Sequence, residues 1–272
     1  MNAPALSDYH LHTSFSADSQ ASMEDMIRSG IEKGVSYLCF TEHMDIDFPK
    51  QYQMDFTVDM KAYRRAYERC REKFAGQINL LWGIELGIQP HLTQELKDYV
   101  NQYPFDFVIG SSHIIHRMDP YYPEFWKGRS KSEAIADYFT ATLDNLEAFC
   151  DIDVYGHIDY VVRYAPEKNK DYSYQAYREL LDLLLTKLID KGIGIELNTG
   201  GFKYGLGHPN PCEEILARYR ELGGEIITLG SDAHMPQYVA YAFPQAMEIL
   251  KACGFTHYTI FRERKPQFVS LE

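Results

Sequence analysis

Six of the ten histidines in this sequence, His10, His12, His43, His113, His157 and His234, fall at or just after the C-terminal end of a short apolar run. Three carboxylates occupy similar positions: Glu85 in WGIELG, Asp232 in GSDAH, and Asp18 in the Ser-rich stretch after the first run. Imidazole and carboxylate are the usual protein ligands of zinc, manganese and iron. His10 and His12, two apart in YHLH, project from one face of an extended strand and can chelate a single ion. Asp232 and His234 repeat that spacing. Glu85 closes the apolar run LLWGI, where a carboxylate is costly unless paired or metal-bound. Taken singly, each of these residues has an ordinary role open to it as a cap, a turn residue or a surface group. Taken together they do not, because every expected strand except the sixth ends in such a group. His91, His208 and His257 lack this company and read as ordinary polar residues.

Nine ligands are too many for one ion. At about four protein ligands per ion, with carboxylates able to bridge, they suit two to three divalent transition-metal ions, zinc, manganese or iron. Three such ions bring about six positive charges, of which the three carboxylates cancel half and neutral imidazoles none. One bridging hydroxide and one phosphate dianion balance the remainder. Formal charge therefore favours phosphate-ester hydrolysis over amide hydrolysis at a single zinc, and clustered metals are a common device for in-line phosphoryl transfer to water.

The elements that must carry these residues are legible as alternating strands and helices. Strands are expected at Ser7–His12, Ser36–Thr41, Asn79–Glu85, Phe105–Ser111, Asp153–His157, Gly194–Asn198 and Glu225–Gly230, short and apolar as buried parallel strands are. Between them, Ser22 with Asp25 resembles a capping box, Thr57 opens a charged helix to about Ala75, and Asn210-Pro211 reads as an N-cap followed by proline at the first helical position. Gly30, Gly34, Gly192 and Gly223-Gly224 sit where helices are expected to end, and the longest helices are expected near Ser130–Phe149 and Tyr174–Lys191. The segment His257–Leu271 reads as two short strands covering the edge or base of the fold. Seven strand-then-helix units predict a parallel sheet, either an open doubly wound sheet or a closed barrel. In both, the C-terminal strand edge is where loops build a site. No GxGxxG or GxxxxGK[ST] opens a helix, so the usual nucleotide loops are absent.

The 272 residues show no internal repeat or linker, so residues 1–272 are read as one domain. A hydrophobic share of 45% with 24% charged residues excludes disorder, collagen and a coiled-coil rod. The net charge of −12 makes the chain a poor general binder of nucleic acid or anionic membrane, which leaves a small-molecule phosphate ester as the expected partner. Five cysteines, odd in number and never in a CxxC pair, read as reduced thiols of a cytoplasmic protein. No secretory signal is read in MNAPALSDYHLH, and no run of eighteen apolar residues predicts a membrane span.

The ordered set YHLHTSFSAD, FTEH, WGIELG, GSSH, VYGHID and GSDAH resembles the polymerase-and-histidinol-phosphatase (PHP) family of metal-dependent phosphoesterases, from Asp8 to His234. Length, GHIDYVVRY and ELNTGGFKYG make it most similar to the stand-alone histidinol phosphate phosphatases of that family. The resemblance implies a distorted (β/α)7 TIM-like barrel with three metals at the C-terminal edge of the strands. Carried over by motif, one ion would be held by His10, His12, Glu85 and Asp232. A second would share Glu85 and take His113 and His157, and a third would take Asp18, His43 and His234. Some relatives have histidine where this chain has Asp18, a change that adds negative charge at the third position. Arg163 in VVRY resembles the family's phosphate-binding arginine, and Lys203 in NTGGFKY a second cation on the phosphate side. Relatives often read Thr-Ser-Gly or Thr-Ala-Gly and then Leu-Arg in that second stretch, where this chain has Gly201-Phe202-Lys203.

The implied activity is hydrolysis of L-histidinol phosphate, a step of histidine biosynthesis, by attack of a metal-bridging hydroxide. Asp232, His234 or a metal-bound water is the expected proton donor to the leaving alcohol. Two segments are expected to wall the substrate: 44–56, with Asp45, Asp47 and Phe48, and 116–129, with Asp119, Tyr121, Tyr122 and Trp126. Acidic and aromatic groups suit a leaving group that carries an ammonium and an imidazole. Two other readings stand beside this one. The first is a PHP phosphoesterase of other specificity, acting on phosphotyrosine, a nucleotide or an oligonucleotide; the second is a metal-dependent regulator without catalysis.

Overall fold

A computed structural model describes residues 6–272; the N-terminal residues on which the signal reading partly rests, and the first five of the single expected domain, lie outside the described residues. Seven strands form one parallel sheet in sequence order: β1 (Ser7–Leu11), β2 (Tyr37–Met44), β3 (Asn79–Gly87), β4 (Phe107–Ser111), β5 (Val154–Tyr155), β6 (Gly194–Asn198) and β7 (Ile227–Gly230). The sheet closes on itself just beyond β7, where Asp232 N donates to His10 O at 2.7 Å and His12 N to Ala233 O at 2.9 Å. Of the two architectures the strand pattern allows, the chain therefore adopts the closed (β/α)7 barrel. Leu38, Phe40, Ile84, Val108, Ile195 and Leu229 are fully buried, as strands enclosed on both faces require.

The crossovers are α1 (Met23–Glu32), α2 (Met60–Lys73), α3 (Thr93–Gln102), α4 (Lys131–Ala148), α5 (Arg178–Asp190), the single turn α6 (Gly200–Lys203), α7 (Glu213–Glu221) and α8 (Phe243–Ala252). Ser22 caps α1 by accepting from Asp25 N, and Ser130 with Glu133 forms a full capping box on α4. Three expectations need correction. The second helix starts at Met60 rather than Thr57, capped by Asp59, because Thr57 is held by Asp55 and bridges Met44. Asn210 caps no helix: its backbone pairs with Asn198 and its side chain serves Arg163 and Asp159, so α7 begins three residues later. Gly30 lies inside α1 and not at its end; a Cβ there would stand 2.7 Å from Leu38 Cδ1, so its smallness lets the helix lie against β2. In addition, the stretch from Tyr174 begins as a 3-10 turn, which leaves α5 at 13 residues and makes α2, at 14, longer.

A hairpin of β8 (His257–Arg262) and β9 (Lys265–Ser270) matches the expected pair of short strands. It covers the base of the barrel. Tyr9 donates to Phe261 O at 2.9 Å, Ile227 N to Thr259 Oγ1 at 3.2 Å, and Arg264 Nε to Asp153 Oδ1 at 3.1 Å. The C-terminal strand edge is thereby left as the open end. Among the described residues no helix is long and apolar enough to cross a membrane.

Candidate metal centre and substrate cavity

All nine expected ligands converge at that open end. β3 runs two residues further than its sequence pattern predicts, which puts Glu85 inside the strand, fully buried at the centre of the group. Glu85 Oε2 lies 3.2 Å from His10 Nε2, 3.5 Å from His12 Nε2 and 3.0 Å from His43 Nδ1. Its Oε1 lies 2.9 Å from His157 Nε2 and 3.3 Å from His113 Nε2. Asp232 Oδ1 approaches His12 Nε2 at 3.5 Å and His10 Nε2 at 3.8 Å. Asp18 Oδ2 stands 3.0 Å from His234 Nε2 and 3.7 Å from His43 Nε2. Glu85 thus faces groups expected at all the sites but the Asp18–His234 corner.

Several features of this cluster fit cations between the groups. Glu85 Oε2, His43 Nδ1 and His234 Nε2 are buried without a hydrogen-bond partner, although each lies about 3 Å from a group of opposite character. The Nε2 atoms of His10 and His12 face each other at 3.1 Å. Donor atoms of His10, His12 and Glu85, of His43, Glu85 and His113, and of His12, His43 and His234 lie close enough in each set to share an ion. The residues therefore fit a cluster of divalent metals.

The second layer fixes which nitrogen each ring presents. His10 Nδ1 bonds Glu196 Oε1 at 2.7 Å, His113 Nδ1 bonds Asp45 Oδ1 at 2.8 Å, and His12 Nδ1 bonds Ser16 Oγ at 3.1 Å. Each contact turns the ring's Nε2 into the cluster, as outer-layer partners of metal-binding histidines do. Glu42 in turn accepts from Ser16 Oγ at 2.6 Å. Gly230 makes room for the His10–Glu196 pair: a Cβ there would collide with Glu196 Oε1 and stand 2.6 Å from His10 Cβ.

Charge in the cluster is polarised. Burial opposes ionisation of Glu85, yet His10, His113 and His43 outweigh it and hold its carboxyl well below the usual range. Burial likewise opposes ionisation of Asp232, and Arg163 followed by His10 outweighs it. Burial, with His43 and His234, keeps His12 neutral, so its lone pair is available to a metal. Burial also disfavours protonated His113, but Asp45 and Glu85 raise it to about 10. Such protons occupy the place that divalent cations take, and metal binding releases them.

Beside the cluster is a cavity lined by Asp45, Phe48, Phe56, Asp119, Tyr160, Tyr164, Tyr204 and Arg163. Arg163 is 4% exposed; its Nε donates to Asn210 Oδ1 at 2.8 Å, Nη1 to Asp232 Oδ2 at 2.7 Å and Nη2 to Asn198 Oδ1 at 3.0 Å. Lys203 does not line this cavity; it donates to Asp232 O at 3.0 Å and packs over Tyr204 and Tyr238. From the two expected wall segments only some residues arrive. Asp47 instead pairs on the rim with Arg117 and His91, Tyr122 stacks on Tyr52 at 3.7 Å, and Trp126 donates to Pro120 O. Asp119 does reach the cavity, and burial pushes its carboxyl up to about 6.

Sequence reading missed Glu196, Asn198, Asn210 and the tyrosine wall. One signal was present for Glu196: Gly-Ile-Glu-Leu occurs twice, at 83–86 and 194–197, and a carboxylate inside a buried apolar run is as costly in the second copy as at Glu85. The tyrosines carried no such signal, because aromatic residues are ordinary core material.

The PHP domain model matches residues 8–200 of this chain. A protein of Lactococcus lactis subsp. lactis named histidinol-phosphatase is 33% identical over 264 residues, 95% of each chain. A Clostridium acetobutylicum protein named "Probable histidinol-phosphatase" is 32% identical over 91% of this chain and 93% of its own. The crystal structure of histidinol phosphate phosphatase from Lactococcus lactis, complexed with zinc, L-histidinol and phosphate, superposes with a TM-score of 0.90 at 32% identity, covering 97% of this chain and 99% of that one.

Proposed function

The chain belongs to the PHP domain family, and on that premise we propose that it is a metal-dependent phosphomonoesterase that hydrolyses L-histidinol phosphate to L-histidinol and phosphate. The observation that carries this reading is the convergence of five imidazoles on Glu85, with buried polar atoms left unpartnered among them. The ions would be held by His10, His12, Asp18, His43, Glu85, His113, His157, Asp232 and His234; the zinc in the Lactococcus relative supports zinc, with manganese and iron as the other candidates. When bound, such ions lower the pKa of water towards neutrality and neutralise phosphate oxygens.

The chain's own groups supply the rest. Three of Arg163's five N–H donors are held by the protein, which leaves one on Nη1 and one on Nη2 to donate to a phosphate oxygen. Lys203 adds positive charge behind Asp232 without reaching the cavity. Asp119, with Phe48, Phe56, Tyr160 and Tyr164, offers an acidic and aromatic enclosure for the ammonium and imidazole of histidinol. Of the expected proton donors to the leaving alcohol, Asp232 is held as an anion by Arg163, which leaves His234 at the cavity wall or a metal-bound water. The acidic enclosure and the net charge of −12 oppose an oligonucleotide substrate. All five cysteines are free, which supports a reducing, cytoplasmic setting.

The test is kcat/KM for histidinol phosphate against other phosphomonoesters and a phosphodiester, measured on metal-loaded protein. A clear preference for histidinol phosphate is expected. Equal or better turnover of phosphotyrosine or of a nucleotide would transfer the assignment to that substrate.

A further inference from the structure

We propose that Asp159 is a positioning residue for Arg163, acting through the side-chain amide of Asn210; the inference rests on Arg163 being the phosphate-gripping group. A side-chain amide has two ends of equal size and opposite polarity, so packing alone does not decide which end faces a neighbour. Here a buried carboxylate decides. Asn210 Nδ2 donates to Asp159 Oδ1 at 2.5 Å, which turns Asn210 Oδ1 towards Arg163 Nε at 2.8 Å. Asp159 is fully buried, and its other oxygen takes Cys212 N at 3.0 Å and the Tyr172 hydroxyl at 3.2 Å. Both oxygens are thus committed to donors, and a carboxylate, having no donor of its own, cannot let the Asn210 amide turn over.

The opposite edge of the guanidinium is built the same way. Asn198 Nδ2 donates to Glu196 Oε2 at 3.0 Å, and Asn198 Oδ1 accepts from Arg163 Nη2 at 3.0 Å. Two amides, each oriented by a buried carboxylate, therefore hold the plane of the guanidinium. Because Asn198 shares Glu196 with His10, only the Asp159–Asn210 arm can be cut without touching a metal-facing ring. The direction in which Arg163's free N–H donors meet a phosphate oxygen is set by that plane.

Asp159→Asn keeps the shape and removes the polarity lock, so Asn210 can present an N–H to Arg163 Nε–H. The probe is inorganic phosphate, titrated calorimetrically into metal-loaded protein, with KM and kcat for histidinol phosphate measured alongside. Asp159→Asn is expected to weaken phosphate binding about tenfold and to raise KM more than it lowers kcat, with metal content unchanged. In an Arg163→Ala background the same substitution should change phosphate affinity less than about twofold. Should Asp159→Asn fail to fold, Asn210→Ala cuts the relay at its middle and should show the same pattern. Unchanged phosphate affinity, or an equal loss with and without Arg163, overturns the proposal. Failure to turn over histidinol phosphate would sink the substrate assignment instead, while the phosphate titrations still decide the relay.

Discussion

Glu196 Oε1 lies 2.7 Å from His10 Nδ1, so the one strand whose end carries no expected ligand takes hold of an expected ligand from the strand that opens the barrel. The contact spans 186 positions of sequence. It sets the tautomer of His10 and turns Nε2 towards Glu85. Burial disfavours protonated His10, yet Glu196 and then Glu85 outweigh it and raise its pKa well above the usual value.

Glu196→Gln removes the charge and keeps the size. Metal affinity or turnover should fall about 10–100-fold, the usual cost of losing an outer-layer carboxylate. Metal content after dialysis and kcat, measured on the same preparation, check this; an unaltered enzyme would make the contact incidental.

Glu85→Gln disturbs every imidazole that faces it. Elemental analysis of the native protein should find about two to three transition-metal ions per chain. The variant should retain fewer and lose roughly 100-fold or more in turnover. Near-normal turnover in the variant would remove Glu85 from its shared position.

Arg163→Ala should raise KM for a phosphate ester about tenfold or more while metal content stays the same. Steady-state kinetics with parallel metal analysis decide it. Loss of metal would mean that Arg163 acts chiefly as the partner of Asp232, 2.7 Å away.

Asp119→Asn separates recognition of the leaving group from chemistry. For histidinol phosphate, kcat/KM should fall about tenfold; for an aryl phosphate whose leaving group carries no cation it should change less than about twofold. A parallel loss on both esters would assign Asp119 to the reaction rather than to the ammonium.

Asp153 at the barrel base gives a pH signature remote from the metals. Burial pushes its carboxyl up to about 6 against an ordinary 3.8, in spite of Arg264 and the Val108 N–H. Its ionised form is therefore disfavoured in the folded state. That penalty is absent below about pH 3.8, grows as pH rises to about 6, and is complete above; it amounts to a few kcal/mol at order of magnitude. Urea unfolding of wild type and Asp153→Asn from pH 4 to 7 should show the variant gaining stability relative to wild type as pH rises. A constant difference across that range would contradict the shift.

The ligand inventory was legible because barrel geometry puts strand ends on one rim, and strand ends are marked by where apolar runs stop. The His10–His12 spacing, Glu85 after LLWGI and the Asp232–His234 pair needed only that geometry. Boundaries were less legible where a residue is claimed by another partner. Thr57 is bridged to Met44, and Asn210 is taken by Arg163 and Asp159. Local sequence carries no record of the distant claims.

Residue type and strand periodicity are local properties, and they were enough to pick out nine candidate metal ligands, while the phosphate-side arginine rested on resemblance to the family. How those groups are aimed follows from the folded chain alone. Glu196 meets His10 only when the sheet closes into a ring, and Asp45 meets His113 and Asp159 meets Asn210 only when the strands that lead to them assemble into one sheet. Hydrogen bonds act over about 3 Å, and only the assembled barrel brings such separated positions within that reach.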